Sequence, residues 1–159
     1  MNKRILFVCL GNICRSPAAE AIFLKEIEVN GLIKYFTVDS AGTGGWHSGN
    51  QADSRMRDAA SKRGIDIQSR ARKLNLKDFE KFDLILTMDN SNLSDVQSLA
   101  KKAGDKKISH IYPILKYATK TSLIEVPDPY YGGVNGFNTV LDLLQDAIEG
   151  LISSFNLDD

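Results

Sequence analysis

Short apolar runs alternate along this chain with longer stretches in which apolar residues return every three or four positions. Ile5-Leu6-Phe7-Val8 is continuously hydrophobic, the pattern of a strand buried on both faces. Ala18 to Leu24 belongs to a helix over roughly residues 17–29, stopped at Asn30-Gly31. Phe36-Thr37-Val38 predicts a second short strand ending at Asp39. A helix follows from Asp53 to Arg63, stopped by Gly64. A short helix over 75–82 leads into a third strand, residues 83–88, with Asp89 at its end. Leu93, Val96, Leu99, Ala100 and Ala103 keep helical spacing up to Gly104, and Ile108 to Ile111 predicts the fourth strand. Residues 124–133 hold two prolines and two glycines and are expected to form an ordered loop. Phe137, Val140, Leu141, Leu144, Ile148, Leu151, Ile152 and Phe155 give the strongest helical pattern. The fold class expected is α/β, a single domain over residues 1–159. It has a four-stranded parallel sheet with helices on both faces. Ligands of such sheets bind beyond the C-terminal strand ends, where Cys9, Asp39 and Asp89 fall.

The chemistry concentrates where the first strand turns into the first helix, Val8-Cys9-Leu10-Gly11-Asn12-Ile13-Cys14-Arg15-Ser16-Pro17. Ser16 reads as the helix N-cap and Pro17 as its first residue. Such a turn aims unpaired backbone N–H groups and a helix dipole at one spot, which suits a phosphate-sized dianion. A Cys9 thiol there is expected to have a lowered pKa and to act as a nucleophile. Arg15 offers a planar fork of donors for two phosphate oxygens, and Ser16 is placed to donate to the Cys9 sulfur. The plain alternative is a buried Cys beside a surface Arg.

Composition narrows the function classes. The 20 Lys and Arg balance 20 Asp and Glu, which argues against a general nucleic-acid or membrane-surface binder. No signal peptide and no bilayer-length apolar run is read, and two cysteines make no disulfide framework; a cytoplasmic protein is expected. His47 and His110 are far apart with no Cys/His cluster, so no metal site is expected. His47 reads as structural or exposed, His110 as a hydrogen-bonded core residue. Arg70, Arg72 and Lys73 read as a solvated basic edge or a docking contact for acidic phosphopeptides. Asp39 and Asp89 are expected to orient supporting groups or to cap helices.

The 8–17 stretch, with Asp39-Ser40-Ala41-Gly42-Thr43, Trp46-His47 and Asp128-Pro129-Tyr130-Tyr131-Gly132-Gly133, resembles the low-molecular-weight protein tyrosine phosphatases along the whole chain. The resemblance implies a flavodoxin-like fold and a two-step dephosphorylation through a phosphocysteine, with no metal or other cofactor. It implies Cys9 as nucleophile, Arg15 as phosphoryl ligand, and Asp128 as general acid and then base. Leu10, Gly11, Asn12, Ile13, Cys14 and Ser16 would bind phosphate or support the loop, with Asn12 bracing its backbone. Ile13, Trp46, Tyr130 and Tyr131 would wall a phosphotyrosine slot. Asp128 is also favoured by its own setting, since flanking prolines stiffen the loop and a phenolate leaving group needs a proton. Its pKa would then have to be raised. The plain alternatives are turn chemistry for Asp128 and a packing plug for Trp46. Some family members carry a His where this chain has Ser69, which puts the bracing there in question. Partners implied are tyrosine-phosphorylated proteins, a cognate tyrosine kinase among the candidates, with no nucleic acid or membrane. A monomer or weak dimer is expected.

Two other activities share this resemblance. Thioredoxin-coupled arsenate reduction needs later cysteines, and none follows Cys14. Protein arginine phosphatases tend to carry Thr at the position of Ile13, so Ile13 and the paired tyrosines favour phosphotyrosine. A phosphate-sensing module without turnover is the non-enzymatic alternative. Cys9 and Cys14 are expected to form a disulfide after Cys9 is oxidised, the alternative being that Cys14 is a small packed residue.

Overall fold

The computed structural model describes residues 2–157, with the side chains of Tyr131 and Val134 outside the described residues. Strand β1 spans Lys3–Cys9, β2 Phe36–Gly42, β3 Leu84–Thr87 and β4 His110–Pro113. They pair in parallel in the order β2-β1-β3-β4. The helices are α1 Arg15–Val29, α2 Ser54–Ser61, α3 Asp78–Lys81, α4 Asn90–Ala103 and α5 Gly136–Ser154. The chain leaves β1 for β2 on one side and returns to β3 on the other, so the strand order switches beside β1. A ligand crevice is expected there, at the C-terminal end of β1.

Side chains alternate across the sheet, and the two faces bury separate cores. Ile5, Phe7, Leu84 and Leu86 pack with Phe23 and Ile27 of α1 and Val140, Leu141 and Leu144 of α5. Leu6, Val8 and Ile85 pack on the other face with Phe79, Val96 and Ala100. Phe36 bridges Phe23, at 5.0 Å edge-on, and Phe155, at 5.3 Å, tying the end of α5 to β2. The phenylalanine contacts add roughly 1 kcal/mol each beyond their buried area.

Three local expectations are corrected. Helix α1 begins at Arg15, not Pro17, and Ser16 is inside it rather than at its N-cap; that place belongs to Cys14, which makes no side-chain cap. The Ser16 hydroxyl turns to the Cys9 sulfur instead. Strand β4 starts two residues later than Ile108, because Ser109 takes the buried position, where its hydroxyl lies against both the Phe79 and the Phe82 carbonyl and shares its one hydrogen between them. Ile108 and His110 are consequently exposed, and His110 is no core residue: its ring stacks on Tyr112 at 6.4 Å. No helix among the described residues is long and apolar enough to cross a membrane.

Candidate active site

Beyond the end of β1 the backbone from Cys9 to Arg15 curls around the Cys9 sulfur. Sγ lies 2.9 Å from Ser16 Oγ and accepts the Asn12 N–H at 3.3 Å. Asn12 is the only non-glycine among the described residues with a left-handed backbone, at φ 58°. That conformation costs about 1–2 kcal/mol and persists only if the surroundings hold it. They do so at every polar atom of its side chain. Nδ2 donates to Ser16 Oγ at 2.8 Å and Ser40 Oγ at 3.0 Å, and Oδ1 accepts the Arg72 N–H at 3.0 Å. Ser40 donates onward to Glu20 at 2.6 Å. Burial pushes the Glu20 carboxyl above its usual range, against the hydrogen bonds from Ser40 and Ser69.

The neighbouring loop has to come close. A Cβ on Gly42 would stand 2.8 Å from the Leu10 carbonyl oxygen, and one on Gly44 would overlap the Trp46 ring. Gly44 N–H donates to that same Leu10 carbonyl, and Thr43 N–H to that of Cys9. Trp46 and His47 are thereby carried to the loop, with the His47 ring packed on Gly11.

Arg15 is 4 % exposed, so its charge needs partners. Nη1 donates to Asp89 Oδ2 at 2.7 Å and to the Val126 carbonyl at 3.0 Å. Asp89 also caps α4, accepting the Asn92 N–H at 2.7 Å. Val126 donates its N–H to Met88 O at the end of β3. This fastens the following Pro127-Asp128-Pro129 to the sheet, and Asp128 Oδ1 accepts the Tyr130 N–H at 2.9 Å. Cys9, Leu10, Gly11, Ile13, Cys14, Arg15, Trp46, His47, Asp128 and Tyr130 line one pocket of about 100 Å³. Cavities for whole drug-sized ligands run to several hundred Å³, so this slot takes a small group inserted from outside. It holds a thiol, a guanidinium and a carboxyl around one space, the set needed to attack, hold and protonate a phosphate ester. A larger hollow near Arg4, Asp39, Arg72 and Asp78 has no nucleophile, and its arginines are taken up by ion pairs.

A family model described as low molecular weight phosphotyrosine protein phosphatase matches residues 4–158. The chain belongs to this family. A fission yeast (Schizosaccharomyces pombe) relative named low molecular weight phosphotyrosine protein phosphatase is 42% identical over 154 residues, 96% of this chain and 97% of its own. A crystal structure of a protein tyrosine phosphatase from Entamoeba histolytica, with Hepes in the active site, is 44% identical and superposes with a TM-score of 0.89 over 96% of each chain. The structure of DARP, a Drosophila arginine phosphatase, superposes with a TM-score of 0.91 at 31% identity, over 98% of this chain and 99% of that one.

In this low-molecular-weight phosphatase, the residues expected at the site fall in two layers. Cys9, Leu10, Gly11, Ile13, Cys14, Arg15, Trp46, Asp128 and Tyr130 line the pocket, and Asn12 and Ser16 stand behind it. The Tyr131 side chain lies outside the described residues. Trp46 is 72% exposed and reaches the pocket only at its mouth. His47, read from sequence as structural or exposed, is half-buried in the wall. Arg72 is not a solvated basic residue: it is half-buried between Asp39 at 3.1 Å and Asp78 at 3.0 Å. Ser40, Glu20 and Asp53 carry contacts of the site that sequence reading did not assign. Ser40 lies inside a recognised motif, and Asp53 shows a helix-cap signal, but nothing local points either toward the loop.

Proposed function

We propose that this protein is a tyrosine phosphatase that hydrolyses phosphotyrosine and small aryl phosphates through a phosphocysteine, without a metal. The observation that carries the reading is the convergence of Cys9, Arg15 and Asp128 on one small pocket. Cys9 as thiolate attacks phosphorus, forming an S–P bond as the bond to the phenolic oxygen breaks. Asp128 gives its proton to that oxygen. Asp128, now a carboxylate, takes a proton from water as the water attacks phosphorus; phosphate leaves and the thiolate returns. The loop amides and the Arg15 fork hold the equatorial oxygens, and these fixed donors supply the positive field that a metal supplies elsewhere. The Ser16 hydroxyl and Asn12 N–H steady the charge on sulfur. Tyrosine-phosphorylated proteins are the proposed partners, and the cytoplasm the proposed location.

The decisive experiment is a leaving-group comparison in the presence of a chelator. Wild type retains activity with EDTA, and Cys9→Ser loses it. Asp128→Ala lowers kcat/KM for phosphotyrosine on the order of 10²–10⁴-fold and for p-nitrophenyl phosphate much less, because nitrophenolate leaves without a proton. A strict metal requirement, or equal losses on both substrates, overturns the mechanism.

Arginine phosphatase activity is kept as the second reading because of the structural likeness to DARP. Ile13 in the pocket wall offers no hydroxyl for a guanidino group, which favours the aromatic substrate. Ile13→Thr should move the kcat/KM ratio toward phosphoarginine by a partial amount, worth about 1–3 kcal/mol. A wild type that already prefers phosphoarginine gives the second reading the place of the first.

A further inference from the structure

The pocket is assembled from two segments far apart in sequence, the 9–15 loop with its nucleophile and the 126–130 loop with its acid. One residue outside both touches each of them. Asp53 donates its backbone N–H to the Ile13 carbonyl at 2.8 Å, on the nucleophile side. Its Oδ2 accepts the Tyr130 hydroxyl at 3.0 Å, on the acid side. The rest of that carboxylate is engaged by Arg55, whose backbone N–H donates to Oδ1 at 2.8 Å while its guanidinium donates to Oδ1 at 3.2 Å and to Oδ2 at 3.0 Å. The guanidinium carbon also stands over two rings, 4.8 Å from the centroid of Tyr130 and 4.9 Å from that of Phe137 at the start of α5.

Tyr130 is half exposed, at 49 %, so little packing holds its ring. Its position rests on the hydroxyl bond to Asp53 and on the Arg55 face. Its backbone N–H in turn donates to Asp128 Oδ1. A displacement of Tyr130 therefore reaches the carboxyl proposed as the acid. We propose that Asp53 is a positioning residue for proton transfer: through Tyr130 it fixes the aim of Asp128 relative to the 9–15 loop, with Arg55 as the clamp that holds it. This rests on the reading of Asp128 as the general acid. A ring and carboxyl fixed before substrate arrives save the reorientation that a mobile loop would have to make on every turnover. Partial burial would raise the Asp53 carboxyl, but the hydrogen bonds from Arg55 and Tyr130 outweigh it and hold the group below its ordinary range. It is therefore an anion at neutral pH, able to accept from Tyr130.

The test uses kcat/KM, which reports the first phosphoryl transfer, on phenyl phosphate and p-nitrophenyl phosphate. Tyr130→Phe keeps the ring and removes only the tether. Asp53→Ala removes the tether and the clamp; Asp53→Asn keeps an acceptor and the helix cap and serves as the conservative variant. Asp128→Ala calibrates the scale. Tyr130→Phe and Asp53→Ala are expected to lose about tenfold more on phenyl phosphate than on p-nitrophenyl phosphate, a fraction of the general-acid effect. Asp53→Asn should recover most of the difference. The double variant Asp53→Ala/Tyr130→Phe should lose no more than Asp53→Ala alone. If Asp128→Ala discriminates between the substrates and neither Tyr130→Phe nor Asp53→Ala does, or if their losses simply add, the proposal fails. If Asp128→Ala itself does not discriminate, the acid assignment fails first. Tyr130→Phe removes one hydroxyl from a half-exposed side chain, so the test survives if Asp53→Ala does not fold.

Discussion

Cys14 stands one residue before Arg15, and its environment is hostile to a thiolate. Burial first, then the charges of Asp53, Cys9 and Asp128, push its thiol up to about 12. At neutral pH only on the order of one molecule in 10⁵ carries the Cys14 thiolate. The expected redox chemistry is constrained by that number. In the expected sequence peroxide would take the Cys9 thiolate to a sulfenic acid; the Cys14 thiol would lose its proton, and its thiolate would attack that sulfur and expel hydroxide, which takes up the released proton as water and leaves the disulfide. Because the attacking species grows tenfold per pH unit below its pKa, bridge formation after a peroxide pulse should quicken about tenfold from pH 7 to pH 8. Mass spectrometry on quenched samples measures it. A rate independent of pH, or equal dithiothreitol recovery in Cys14→Ala, leaves Cys14 as a packed residue only.

At the scale of elements, α1 and β2 are joined through Glu20, Ser40 and Asn12, and this join holds the loop in its left-handed turn. Burial raises the pKa of the Glu20 carboxyl in the folded protein. Folding then keeps a proton that the unfolded chain releases. The stability from this residue is complete below the unfolded value near 4.3 and is lost as pH rises through the folded value. Glu20→Gln keeps an acceptor for Ser40 without a charge. Its melting temperature relative to wild type should rise from pH 4 toward pH 8; a constant difference would mean that Glu20 is not the titrating group. This join also marks where sequence reading stops. The elements were legible because Ile5 to Val8 and Phe137 to Phe155 carry periodicity within a single element. So was the turn at residues 9–17, whose chemistry is contiguous. Ser40 to Asn12 and Val126 to Arg15 are separated by 28 and 111 residues, and no local pattern encodes such pairs. The start of β4 escapes sequence reading for a related reason: a serine takes the buried position ahead of an isoleucine because its hydroxyl can donate to a buried backbone carbonyl.

For the whole molecule, the pocket is lined by segments that follow β1 and β2 and precede α5, and it is held from behind by Asp89 after β3 and Asp53 before α2. Asp53 at the start of α2, Trp46 after β2 and Asp128 before α5 all reach the loop that follows β1. A ligand there should therefore stabilise the entire fold and not one loop. Binding to the folded state alone adds RT ln(1 + [L]/Kd), about 2.7 kcal/mol at a hundredfold excess over Kd. For a chain of this size each kcal/mol moves Tm by about 2–4 °C, so saturating inorganic phosphate should raise the melting temperature by about 5–10 °C. Arg15→Lys should lose most of that increment even if its own melting temperature differs, because an ammonium cannot make the forked contact and would still face Asp89. Scanning calorimetry in phosphate against chloride at matched ionic strength reads the increment directly. An equal rise in both salts, or an undiminished rise in Arg15→Lys, would place phosphate binding elsewhere than on the Arg15 side of this pocket.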